Sequence, residues 1–116
     1  MTKKGERPIE NKERPYGGAG FVSIEKLLTP EQLGERSRLF GQVVLKPHCE
    51  VGHHEHHDEW EVYYILSGTG MYDDNGKALP VEPGDVFYCQ DGDGHGIKNT
   101  GDEDLVFVAL IIKTNS

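Results

Sequence analysis

Five of the six histidines lie between positions 48 and 57, and the sixth, His95, stands alone further on. Imidazole ligates transition metals and exchanges protons near neutral pH, so this clustering points to metal binding or acid–base chemistry. In a strand, residues two apart project from one face. His54 and His56 can therefore aim both rings at one point, which His53 and His57 cannot reach without a register break. A reversal at His57-Asp58-Glu59 would start a second strand with Glu61, Tyr63 and Ile65 on one face and Val62, Tyr64 and Leu66 on the other. Glu61 is then placed to add a carboxylate beside the two imidazoles, and Glu59, of the same parity, is its rival. Neutral imidazoles with one carboxylate suit a divalent transition metal (Mn, Fe, Ni, Zn or Cu) rather than Ca or Mg, which prefer oxygen-only shells. An affinity tag would be terminal and unbroken, whereas this cluster is internal and interrupted by Glu55 and Asp58.

Such a site needs a frame. From Phe40 onward the chain reads as short β-rich runs separated by turn residues: 40–45, 51–54, 60–66, 70–72, 78–81, 86–89, 95–98 and 105–112. Asp74-Asn75-Gly76 is a two-residue hairpin signal because Asn and Gly tolerate positive φ. Pro83-Gly84-Asp85 and Asn99-Thr100-Gly101-Asp102 mark two more reversals. Upstream, Thr29 as N-cap, Pro30 at the first helical position and Gln32 at capping-box spacing predict a short helix ending near Gly34. Residues 1–15 are charged and hold two prolines, so they are expected to form a flexible N-terminal arm, a tail or a segment that pairs with something else, before a single domain spanning 16–116.

The histidine stretch and the region around His95 resemble the two sequence motifs of the cupin superfamily. The first reads His54-x-His56, four residues, Glu61, six residues, Gly68; the second reads Gly84, five residues, Gln90-x-Gly92, two residues, His95, three residues, Asn99. The resemblance implies an all-β fold, a double-stranded β-helix or jelly-roll barrel with the short helix near its start. It also implies a metal set of His54, His56, Glu61 and His95, and it selects Glu61 over Glu59 because Glu61 alone keeps the six-residue gap to Gly68. Two positions depart from the pattern. His48 replaces the first motif's opening glycine, which His can follow into left-handed backbone geometry. Gln90 replaces the second motif's proline and brings an amide near His95, where it is expected to line the pocket beside Tyr63, which shares the face of Glu61.

A chain of 116 residues is one domain's worth, and 20 acidic against 12 basic residues give a net charge of −8, which argues against nucleic acid and membrane partners. The polar start, the lack of any membrane-length apolar run and two widely spaced cysteines, Cys49 and Cys89, are read as a cytoplasmic protein with reduced thiols. A three-His, one-Glu site leaves coordination positions open for a small-molecule ligand. The expected function is that of a metal-dependent enzyme, an isomerase, dioxygenase or decarboxylase, on a small polar metabolite. The alternative is a non-catalytic metal or small-ligand binding module. A homodimer is expected, with part of residues 16–24 pairing with the partner's sheet to cover an open edge.

Overall fold

The computed structural model describes residues 1–114. In chain order the strands are β1 (Ile9–Glu13), β2 (Phe21–Lys26), β3 (Ser37–Leu45), β4 (Glu50–Glu55), β5 (Glu59–Ser67), β6 (Gly70–Asp74), β7 (Lys77–Val81), β8 (Val86–Cys89), β9 (Gly94–Asn99) and β10 (Leu105–Lys113). They build two sheets, a six-stranded one in the order β1-β2-β3-β10-β5-β8 and a four-stranded one in the order β4-β9-β6-β7. Every pairing is antiparallel. The jelly-roll architecture expected from the sequence is the one observed.

Strict alternation drives the packing. In β10, at the centre of the larger sheet, Leu105, Phe107, Ala109 and Ile111 turn inward, and in β3 Leu39, Val43 and Leu45 do the same. They meet Ile97 and Tyr72 from the smaller sheet. Each large apolar side chain removed from water in this way contributes about 1.5–3 kcal/mol. The short helix α1 (Pro30–Leu33) closes the sequence's capping box: the Thr29 hydroxyl accepts from the Gln32 N–H at 3.1 Å and the Gln32 amide oxygen accepts from the Thr29 N–H at 2.9 Å. His48 adopts φ +70°, the left-handed geometry anticipated for it.

The N-terminus departs from expectation. Residues 9–13 are not a flexible arm, because β1 pairs along its length with β2. Composition could not reveal this strand, since every residue in it is exposed and backbone pairing, not side-chain burial, holds it. Salt bridges from Arg7 to Glu25 (2.6 Å) and from Lys26 to Glu10 (3.2 Å) add cross-strand ties. β2 is hydrogen-bonded to β1 on one side and to β3 on the other, so residues 21–24 are already paired within the chain. No helix among the described residues is long and apolar enough to cross a membrane.

Candidate metal centre

The four motif residues converge from both sheets. His54 in β4 stands opposite His95 in β9, and Glu61 lies in β5, opposite Cys89 of β8 and Ile111 of β10. His56 follows β4 and is fixed by its backbone, its N–H donating to the Asp93 carbonyl (3.1 Å) and its carbonyl accepting from the Gly92 N–H (2.7 Å).

A β-bulge decides which histidines face inward. Val51 pairs with Ile97 and His54 with His95, so Gly52 and His53 together oppose Gly96. Plain alternation from buried Val51 would have turned His53 inward, and the extra residue inverts the parity so that His54 faces the site instead. β9 makes room with glycine: a Cβ on Gly96 would sit 2.8 Å from the Val51 carbonyl oxygen, and one on Gly94 would overlap the His53 ring. Displaced outward, His53 bonds Asp73 at 2.6 Å on the surface, and His57 bonds Glu55 at 3.1 Å, also exposed. Neither reaches the cluster.

One ligand-type atom from each of His54, His56, Glu61 and His95 lies within 4.8 Å of the others. Glu61 Oε1 is 3.0 Å from His56 Nε2 and 2.9 Å from His95 Nε2, and the two nitrogens are 3.0 Å apart. His56, Glu61 and His95 are buried, at 2%, 4% and 1% exposure, so water does not screen them.

Each imidazole is held from behind through its other nitrogen. His54 Nδ1 meets the Gly52 carbonyl at 2.8 Å, His56 Nδ1 meets Glu59 Oε2 at 2.5 Å, and His95 Nδ1 meets the Tyr72 hydroxyl at 2.8 Å. A carbonyl and a carboxylate only accept, so His54 and His56 carry their protons on Nδ1 and turn Nε2 lone pairs toward the cluster. The Tyr72 hydroxyl can accept in the same way from His95, and burial keeps that phenol neutral by raising its pKa. Glu59, the rival carboxylate of the sequence, is therefore a supporting group. Arg38 grips both its oxygens at 2.8 Å and holds its pKa below the ordinary value.

Protonation favours cation binding at two of the ligands. Burial lowers the His54 pKa to about 4, which keeps that ring neutral. For Glu61, burial raises the pKa, but contact with the His56 and His95 ring nitrogens, which stabilises the carboxylate when a ring carries a proton on Nε2, outweighs it and brings the value down to about 2, so the carboxylate is charged. His56 differs: burial opposes its charged form, yet the carboxylates of Glu61 and Glu59 raise its pKa above 6.5. Three lone pairs at His56 Nε2, His95 Nε2 and Glu61 Oε1, each about 3 Å from the next, repel unless a proton or a cation lies among them. That donor set fits one divalent transition metal, with second partners orienting all three imidazoles.

His54, His56 and Glu61 open onto a cavity of ≈ 70 Å³. Its wall is largely apolar, with Val22, Ile24, Val43 and Phe107, and its polar members besides the three cluster residues are Tyr63, Tyr16, Arg38 and Lys12. Tyr63 lines the cavity and stacks on His95 with ring centroids 4.9 Å apart. Burial drives its pKa well above 10, so it presents a neutral hydroxyl. Gln90 is corrected: it is exposed and does not line the cavity, because it opens the turn before β9, where its carbonyl accepts from the Asp93 N–H at 3.1 Å and its side chain is left facing solvent. Tyr16, Lys12, Arg38 and Tyr72 were missed by sequence reasoning, since distant strands bring them to the site. Cys49 and Cys89 are buried free thiols, and burial pushes Cys89 up to about 12.

Fold and site together define a β-barrel with a candidate metal centre between its two sheets. A family model described as a cupin domain matches residues 41–111, and the chain belongs to the cupin family. It is 46% identical over 96 residues to an oxalate-binding protein of Thermotoga maritima, a match covering 83% of this chain and 79% of that protein. A crystal structure of a predicted oxalate decarboxylase from Thermotoga maritima superposes with a TM-score of 0.92 at 41% identity, covering 97% of this chain and 98% of the other. Glucose-6-phosphate isomerase of Thermococcus onnurineus is 38% identical over 65 residues, but those cover 51% of this chain and 34% of that enzyme.

Proposed function

We propose that the protein holds one divalent transition metal through His54, His56, Glu61 and His95 and binds a small dicarboxylate, such as oxalate, against it. The observation that carries this reading is the convergence of three lone-pair donors about 3 Å apart, two of which, His56 and Glu61, line a cavity of ≈ 70 Å³. A cation there would supply positive charge for a chelating dicarboxylate at the inner end of a largely apolar pocket. The size of the cavity favours a ligand of a few heavy atoms, and the similar Thermotoga maritima protein is named for oxalate binding.

Non-catalytic binding is favoured over turnover by the cavity lining. Apart from the three cluster residues it offers no carboxylate or imidazole to act as a general acid or base, and Tyr63, whose pKa burial raises, stays a neutral phenol that is a weak acid and holds no base form near neutral pH. A metal-dependent enzyme of isomerase or dioxygenase type is the second reading, supported by the partial likeness to glucose-6-phosphate isomerases. Calorimetric titration of oxalate into manganese-loaded protein separates these possibilities. One equivalent should bind with the metal and none after chelation; binding that survives chelation contradicts the reading, and release of carbon dioxide or formate shifts it to catalysis.

Two further features belong to this reading. Buried, unpaired thiols at Cys49 and Cys89 support a reducing cytoplasmic setting. Exposed Tyr64, Leu66, Val86 and Tyr88, neighbours on β5 and β8, support a homodimer through the outer face of the larger sheet, which light scattering would reveal as twice the 13.0 kDa chain mass.

A further inference from the structure

The N-terminal strand sets a half-exposed lysine beside the cavity. Lys12 pairs with Val22, and partners across an antiparallel ladder share a face, so Lys12 projects to the side on which Val22 is buried. Both residues line the cavity beside His54, His56 and Glu61. Glu10, on the same face of β1, is held by Lys26 at 3.2 Å and lies further from Lys12, at 3.8 Å. Arg38, the other cation in the cavity wall, is occupied by Glu59 through both of its bonds at 2.8 Å. Among the described residues, Lys12 is thus the cation in this wall with no acceptor at normal hydrogen-bond length, in a chain of net charge −8.

The turn after β1 is fixed against the site. Tyr16 stacks on His54 with centroids 3.9 Å apart and planes 13° from parallel, and it holds a left-handed φ of +51°. Two glycines permit this approach: a Cβ on Gly52 would overlap the Tyr16 carbonyl oxygen, and one on Gly18 would overlap the Glu50 carbonyl oxygen. β1 is therefore anchored at its C-terminal end onto β4, which carries His54, and at its sides onto β2.

We propose that Lys12 is the anion-receiving residue of the cavity, its ammonium meeting the outward oxygens of a small dicarboxylate whose inward oxygens lie toward His54, His56 and Glu61. The inference rests on the dicarboxylate reading above, and it makes the N-terminal strand the element that selects dianions over monoanions. A four-carbon stem with a mobile ammonium at the rim can follow ligands of slightly different length, whereas Arg38 is locked in place.

Cobalt-loaded wild type, Lys12→Met and Lys12→Arg are titrated with oxalate and, separately, with azide, which needs a cationic site but no carboxylate recognition. Lys12→Met keeps the apolar stem, and cobalt stoichiometry and circular dichroism check that its site and fold are intact. One lost half-exposed charge contact corresponds to a factor of about ten for a dianion and about three for a monoanion. Lys12→Met should therefore weaken oxalate about tenfold and azide about threefold, with Lys12→Arg close to wild type. Unchanged oxalate and azide affinities in Lys12→Met overturn the proposal. A wild type that binds azide but not oxalate refutes the dicarboxylate reading alone, and the azide series then decides the role of Lys12. A wild type that binds neither anion overturns both.

Discussion

His54 and His56 sit in the chain between His53 and His57, yet the two pairs live in different physical worlds. The inner pair faces His95 and Glu61, and its Nδ1 atoms are tied to the Gly52 carbonyl and to Glu59. The outer pair lies on the surface, bonded singly to Asp73 and Glu55, where water screens each contact and such pairs contribute little. Residue type is the same throughout. What separates a ligand from a solvated side chain is strand parity together with a partner that fixes the ring from behind, so both can be tested by removing one and leaving the other.

Outside the four cluster residues, the largest effect is expected at Glu59. Glu59→Gln leaves all four cluster residues in place but replaces the carboxylate that orders His56 and pairs with Arg38. Metal affinity should fall by about 10–100-fold, read by competition with a chromophoric chelator. Acidification acts on the same histidine. The His56 pKa is raised above 6.5 in the metal-free protein, so below that pKa a proton held at Nε2 competes with metal, while His54, at about 4, stays neutral. Apparent affinity should drop by up to about tenfold per pH unit below the His56 pKa and level off above it, measured by the same competition between pH 8 and pH 5. A smaller effect is expected from Gly52→Ala, whose added methyl must push Tyr16 off the His54 ring. Loosening one ring of three should cost about threefold in metal affinity, with the oxalate titration more affected than the metal titration.

Much of this was legible in the residues. Turn chemistry at Asn75-Gly76 and Pro83-Gly84 and alternation in 105–112 delimit strands that the structure repeats almost to the residue. The capping box at Thr29 reads directly into α1. The motif spacing implied the pairing of the histidine cluster with His95 across the fold. The bulge at Gly52-His53 was not legible: nothing local announces that one residue is unpaired, and its glycine counterparts, Gly94 and Gly96, lie on another strand. Nor was β1, because an edge strand with all side chains in water leaves no hydrophobic period to read. Glu59 was seen only as a rival ligand, since its role depends on Arg38, which reaches it from a different strand.

The most direct test is elemental analysis of protein loaded with manganese, iron, nickel, copper or zinc and then dialysed, in wild type, His95→Ala and His57→Ala. His57→Ala and wild type should each retain one equivalent of the preferred ion, and His95→Ala should retain almost none. Full retention in His95→Ala with loss in His57→Ala would contradict the four-residue site and place the metal on the surface histidines.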